Sequence, residues 1–305
     1  MLADLVEQEV LRGGKMSRAR LATWIRKAGV IRQLAETYEA DRPEIDPADG
    51  EDDRADGAEP GPHDVADEAA GRVFDQLTER ARCLAERYPF ALTASGELRR
   101  AAGAALGWYD FLLALSVAHR YAVPVEGVQL DRLFERLVAS CLPKLGFQVK
   151  HFGTAATRSG GPIERIDAAA RELRLLPRWQ GNRSLIRRRA NDAGVDALGR
   201  LGAGDGRPGD WVLLAQTTVA RSDDWNAKAS EALHSPLHKI FDDHPRVAAL
   251  AVPYHVATER LLDLTRNYEI VVFDRLRLTL LLDARPTSDG ATLCEAVRSV
   301  EFEWS

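Results

Sequence analysis

Two short segments of this chain hold oxygen donors where a fold could aim them at one point. Asn191-Asp-Ala-Gly-Val-Asp196 closes a glycine-bearing turn on an acid, and Leu213-Leu-Ala-Gln-Thr-Thr218 sets Gln216 inside an apolar run. A carboxylate at the start of a strand can hold Mg²⁺, a hard cation that takes one or two carboxylates and completes its shell with water and phosphate. An ion held that way lowers the pKa of water and stabilises a phosphoryl group under attack. Period two on a strand over 211–219 puts Val212, Leu214, Gln216 and Thr218 on one face, and a buried amide there needs a partner. Glu135 sits at the edge of the helical stripe Leu130, Leu133, Phe134, Leu137, Val138, Cys141 and Leu142, from which it can reach over a sheet. The plainer readings are a turn-ending aspartate at 196, with Asp192 capping or orienting the turn, and a boundary glutamate in a salt bridge at 135.

Net charge of −5 looks unsuited to a nucleic-acid partner until it is divided along the chain. Residues 41–68 hold twelve acids against Arg42 and Arg54, a balance of −10, so the remainder carries +5. Ten arginines stand against five acids in residues 151–200, the segment leading into Asp196. A basic surface suits a phosphate backbone, and Arg183, Arg187, Arg188 and Arg189 are the candidates to touch it. A solvated arginine-rich surface accounts for the same pattern equally well.

The elements that must position these residues alternate from Gly127 onward. A helix is expected over about 129–143, then a strand near 147–152, and a basic insert whose own helix runs from Glu164 to Leu176. Strands at 194–201 and 211–220 flank a turn with Gly202, Gly204, Gly206 and Gly209. A helix from about 223, a strand at 247–253, a helix at 257–267 and a strand at 270–273 complete the order. Before them, residues 1–40 read as two short helices broken at Gly13-Gly14, a spacing that packing or a helix-turn-helix both explain. Residues 41–63 carry Pro43, Pro47, Pro60, Pro62 and the acid run, the mark of a linker. Residues 64–88 and 95–121 read as two long helices. The expected division is a helical module over 1–125 and an α/β domain over 126–305.

Composition excludes several classes. No apolar run reaches the roughly 20 residues of a membrane span, and the N-terminus lacks the basic and apolar regions of a signal peptide, so a cytoplasmic protein without membrane contact is expected. Cys83, Cys141 and Cys294 have neither disulfide-framework nor zinc spacing. His234 and His238 are four apart with Pro236 between them and no third ligand evident. The chain has no G-x-S-x-G, dinucleotide-binding or P-loop motif.

Together, Phe134-Glu135 before Gly146-Phe-Gln-Val149, the Gly194-Val195-Asp196 turn and Gln216 resemble the restriction-endonuclease-like PD-(D/E)XK nuclease superfamily over about residues 126–285. The nearest pattern is its Mrr-like branch, with glutamine in place of the second acid. The resemblance implies an α/β fold with a mixed sheet flanked by helices, here preceded by an all-helical N-terminal module. It implies Mg²⁺, or Mn²⁺, held by Glu135, Asp196 and Gln216. That branch places a lysine two residues after the glutamine, where this chain has Thr218. Some members supply it from the next helix, and Gln216…Trp225-Asn-Ala-Lys228 resembles that variant, with Lys228 as the catalytic lysine. Phe273-Asp-Arg-Leu-Arg277 resembles the end of this domain type, expected as a structural ion pair or a DNA-backbone contact. The implied activity is endonucleolytic hydrolysis of DNA in bacterial restriction, repair or anti-phage defence. An ATPase or sensor subunit is an expected partner, and a homo-oligomer is compatible. A nuclease-like binding or scaffold subunit without catalysis, and an RNA-cleaving nuclease, are the competing readings.

Overall fold

The computed structural model describes residues 2–27, 62–152, 160–186, 194–203, 205, 207, 209–282 and 288–300. It divides into two compact units, Met1–Ala105 with Arg298–Ser305, and Leu106–Val297. The division falls at 105/106 rather than at the expected 125/126, because the aromatic helix beginning at Trp108 belongs to the second unit. The expected linker at 41–63 lies almost wholly outside the described residues.

In the first unit, helices α1 (Leu2–Leu11) and α2 (Arg18–Lys27) flank strand β1 (Met16–Ser17), and α3 (Pro62–Leu84) precedes β2 (Phe90–Leu92) and β3 (Glu97–Arg100). The strands pair antiparallel in the order β1-β3-β2. This corrects the all-helical module. The expected helix over 95–121 cannot start where it was placed, because Gly96 takes φ 74° in the turn between β2 and β3. Thr93 Oγ1 closes that turn by accepting from the Glu97 amide at 3.0 Å. Beneath the strands lies an ionic cluster. Arg80, 1% exposed, reaches Asp4 at 2.8 Å and Glu7 at 2.7 Å, and the Tyr88 hydroxyl donates to the other Glu7 oxygen at 2.6 Å.

The second unit opens with α4 (Trp108–Arg120), which starts where Asp110 accepts from the Gly107 amide at 2.8 Å. Then follow α5 (Leu130–Cys141), β4 (Gln148–His151), α6 (Pro162–Leu173), β5 (Ala197–Leu201), β6 (Trp211–Thr217), α7 (Trp225–Leu233), α8 (Leu237–Ile240), β7 (Arg246–Ala251), α9 (Thr258–Tyr268), β8 (Ile270–Phe273), α10 (Arg275–Leu281) and α11 (Ser288–Ser299). The sheet order is β4-β5-β6-β7-β8, antiparallel up to β6 and parallel beyond it. Both parallel steps cross through helices, as parallel neighbours require. On one face, Phe152, Leu198, Val212 and Leu214 pack with Ile166 and Leu173 of α6 and with Leu237 and Ile240. Beside them, Trp225, Ala229 and Ala232 of α7 cover Ala248 and Leu250 of β7. The chain is thus a mixed α/β protein, and the strands expected from the sequence in this unit all form.

The Asp274-Arg-Leu-Arg277 segment is structural. Asp274 caps α10 by accepting from the Arg277 amide. Arg275, fully buried, donates to the Pro253 carbonyl at 3.0 Å and the Ser116 hydroxyl at 2.7 Å and lies over the Tyr109 ring.

The cysteines give a direct test of the packing. Cys141 is buried in α5, and desolvation pushes its thiol from 9.0 up to about 12. Cys294 is also buried, while Cys83 is half-buried. In native protein at pH 8 a thiol reagent should label Cys83 alone, and all three after denaturation; rapid labelling of Cys141 would contradict this core. Because its folded pKa is raised, Cys141 holds its proton where the unfolded chain loses it, so its contribution to stability falls as pH rises from about 9 toward 12.

Candidate active site

The turn into β5 is shaped by Gly194, which takes φ 74°, a backbone region costly for residues with a Cβ. Its backbone lies close enough to α7 that an added Cβ would meet the Glu231 carbonyl at 3.5 Å. Val195 then turns into the core cluster, and Asp196 enters the sheet. The Asp196 amide donates to the Ala215 carbonyl at 2.9 Å, while its own carbonyl accepts from the Phe152 amide at 2.6 Å. Its carboxylate Oδ2 accepts from both the amide and the hydroxyl of Thr217, at 2.7 and 2.9 Å. The acid therefore stands in for a main-chain acceptor. Because a strand amide points within the sheet, this oxygen lies in the hydrogen-bonding plane between β5 and β6 rather than out on a face.

Gln216, the neighbour of Thr217, is 4% exposed, and its Oε1 is buried with no hydrogen-bond partner among the described residues. An unmatched buried polar atom of this kind costs about 1–3 kcal/mol, so the position calls for a ligand, ion or water. Gln216 pairs with Leu250 across the parallel step, and strand alternation sets it on the face with Leu214, beneath α7.

Glu135 is buried on α5, with its Oε2 3.0 Å from His151 Nε2. Phe152 faces the α6 side, so His151 and its glutamate lie on the opposite face from Gln216. The expected oxygen donors are thus placed differently, with the Asp196 oxygen within the sheet, Gln216 on one face and Glu135 on the other. Among the described residues, no three His, Cys, Asp or Glu side chains group to hold a metal ion. Mg²⁺ asks less of a protein, one or two oxygen ligands with water and phosphate for the rest. The Asp196 carboxylate and the unmatched Gln216 oxygen fit that chemistry, and Glu135 does not join them.

The position two residues after Gln216 is turned to local use, since the Thr218 hydroxyl accepts from the Ala220 amide at 3.0 Å. Trp225, buried, anchors the start of α7 by donating from its indole to the Ala220 carbonyl at 3.0 Å. Lys228, one turn later, is ion-paired with Glu231 at 2.7 Å on the partly exposed side of that helix. Arg183 is exposed, while Arg187, Arg188, Arg189 and Asp192 lie outside the described residues.

Sequence reading missed Thr217 and His151, the residues that hold Asp196 and Glu135. A threonine beside a strand amide and a histidine at a strand end were the available signals, but only the β4-β5-β6 register reveals their partners. No protein-family model, curated protein or solved structure matches this chain.

Proposed function

We propose that the second unit is a restriction-endonuclease-like domain that hydrolyses DNA phosphodiester bonds with a divalent metal. The observation that carries this reading is the buried, unmatched Gln216 oxygen one residue from the threonine that fixes the Asp196 carboxylate. The order from α5 to β7 supports it as well: apart from α6, inserted between β4 and β5, and the short α8, it runs helix–strand–strand–strand–helix–strand. Bound Mg²⁺ would acidify water and neutralise phosphate charge. Asp196 and Gln216 would present the oxygen ligands, Asp196 preorganised by Thr217. Lys228 would offset charge on the scissile phosphate, after leaving Glu231. Both members of that pair are partly exposed, so parting them costs no more than about 1 kcal/mol. Arg183 would contact the phosphate backbone. A role in bacterial restriction or anti-phage defence follows from the resemblance alone.

A second reading, a DNA-binding subunit that no longer cuts, is favoured by the Thr218 hydroxyl turned to Ala220 and by the Lys228–Glu231 pair. Supercoiled plasmid with Mg²⁺ or Mn²⁺, against EDTA, separates the two, with an RNA substrate run in parallel. The expected result is metal-dependent nicking that drops at least about tenfold in Lys228→Ala, the scale of a lost charge contact in the transition state. Salt-sensitive DNA binding without any metal-dependent product would establish the second reading instead. Nicking unchanged in Lys228→Ala would remove the lysine from the site.

A further inference from the structure

At the other end of the sheet, where β5 finishes and β6 begins, a cavity of about 490 Å³ opens beside the last turn of α6. It is lined by Arg171, Arg174, Arg207 and His244 and by apolar residues that include Leu175 and Pro177. The volume lies within the roughly 300–1,000 Å³ of small-ligand sites.

His244 is the telling member. It is 4% exposed, and its Nδ1 lies 3.1 Å from the Asp210 carbonyl while Nε2 has no partner among the described residues. A carbonyl only accepts, so Nδ1 carries a proton, and in the neutral form of the ring Nε2 is a buried lone pair. That lone pair calls for a hydrogen-bond donor, which a base N–H can supply. The acids nearby are already engaged. Asp167, which also lines the cavity, accepts the Trp179 indole N–H at 2.7 Å. The Asp210 carboxylate is bonded to Arg200, and Asp205 pairs with Arg207 at 2.6 Å in an exposed contact that an incoming anion can replace. Guanidinium groups are planar forks that match phosphate oxygens two at a time.

We propose that this cavity binds a nucleoside polyphosphate. The phosphates meet Arg171, Arg174 and Arg207, the base lies on Leu175 and Pro177, and a base N–H donates to His244 Nε2. The site is separate from Asp196 and Gln216 and does not rest on cleavage.

Calorimetric titration of the full chain in EDTA tests it, with ATP, pyrophosphate and adenosine as probes. ATP should bind, pyrophosphate at least about tenfold more weakly, and adenosine without measurable heat. The double variant Arg171→Gln/Arg174→Gln, altered only at exposed side chains, should weaken ATP by about tenfold or more, since each lost charge-assisted hydrogen bond is worth about that factor. His244→Asn, which keeps a donor near the Asp210 carbonyl and deletes Nε2, should weaken ATP but not pyrophosphate, with the fold checked by circular dichroism. Asp196→Asn should leave ATP affinity unchanged, so this site and the proposed cleavage site stand or fall separately. Absence of ATP binding, equal affinity for ATP and pyrophosphate, binding indifferent to the arginine pair, or displacement of ATP by short duplex DNA would each overturn the assignment.

Discussion

Asp196→Ala is expected to abolish metal-dependent nicking, with a loss of at least about 10²–10³-fold, the range for removing one preorganised electrostatic group from an active site. The same substitution should also lower stability by about 1–3 kcal/mol, because it strips the buried Thr217 amide and hydroxyl of their shared acceptor. The two effects are separable. Asp196→Asn retains a carbonyl oxygen for the Thr217 amide, so most of the stability should return while cleavage stays lost. A denaturant titration beside the plasmid assay reads both quantities. Cleavage persisting in Asp196→Asn, with fold intact, would show that the carboxylate serves the ladder and not the chemistry. Asp196→Ala as stable as the wild type would remove the structural role given to its contacts with Thr217.

Arg80→Met should cost the first unit about 3–5 kcal/mol, the measured scale for removing one partner from a buried ion pair. Two carboxylates converge on this one guanidinium, those of Asp4 and Glu7, with all three side chains buried. Methionine fills much of the same space, so the loss is electrostatic rather than a cavity. Scanning calorimetry should show a fall of roughly 10 °C or more in the transition of that unit. The triple variant Arg80→Met/Asp4→Leu/Glu7→Leu should recover a large part of the deficit, since an apolar cluster of similar volume incurs no ionic desolvation. A single-variant loss below about 1 kcal/mol would mean that the carboxylates find other partners.

The centre of the second unit's sheet could be read from the sequence because β5, β6 and β7 are buried on both faces for most of their length and stand out as largely apolar runs. Leu213 to Ala215 and Ala248 to Ala251 are of that kind. The β2–β3 hairpin was hidden for the opposite reason. Its strands have three and four residues, and Leu98 is the only buried side chain of β3. Glu97, Leu98 and the arginines that follow are also good helix formers. Helix α10 was missed because its cap, Asp274, belongs to a motif read as an ion pair. The placement of Asp196 at the entry to β5 and of Gln216 inside β6 was legible, since an acid after a glycine turn and an amide in an apolar strand are local signals. Their surroundings were not. Thr217 lies 21 residues from Asp196, and His151 lies 16 from Glu135, separations that only strand register brings together. Lys228 was placed correctly on the helix after Gln216, but its pairing with Glu231 depends on side-chain rotamers that no motif encodes.

The hydrogen bonds from Thr217 to Asp196 have a consequence for descent. A residue that serves only chemistry drifts freely once the chemistry is no longer selected. Here the carboxylate also completes the ladder between β5 and β6, so relatives without the proposed cleavage would still be under pressure to keep it. Gln216, whose oxygen has no hydrogen-bond partner among the described residues, carries no such second role and should be among the first to change. Among diverged copies of this domain, the state of position 216, more than that of 196, would then record whether the proposed cleavage is under selection.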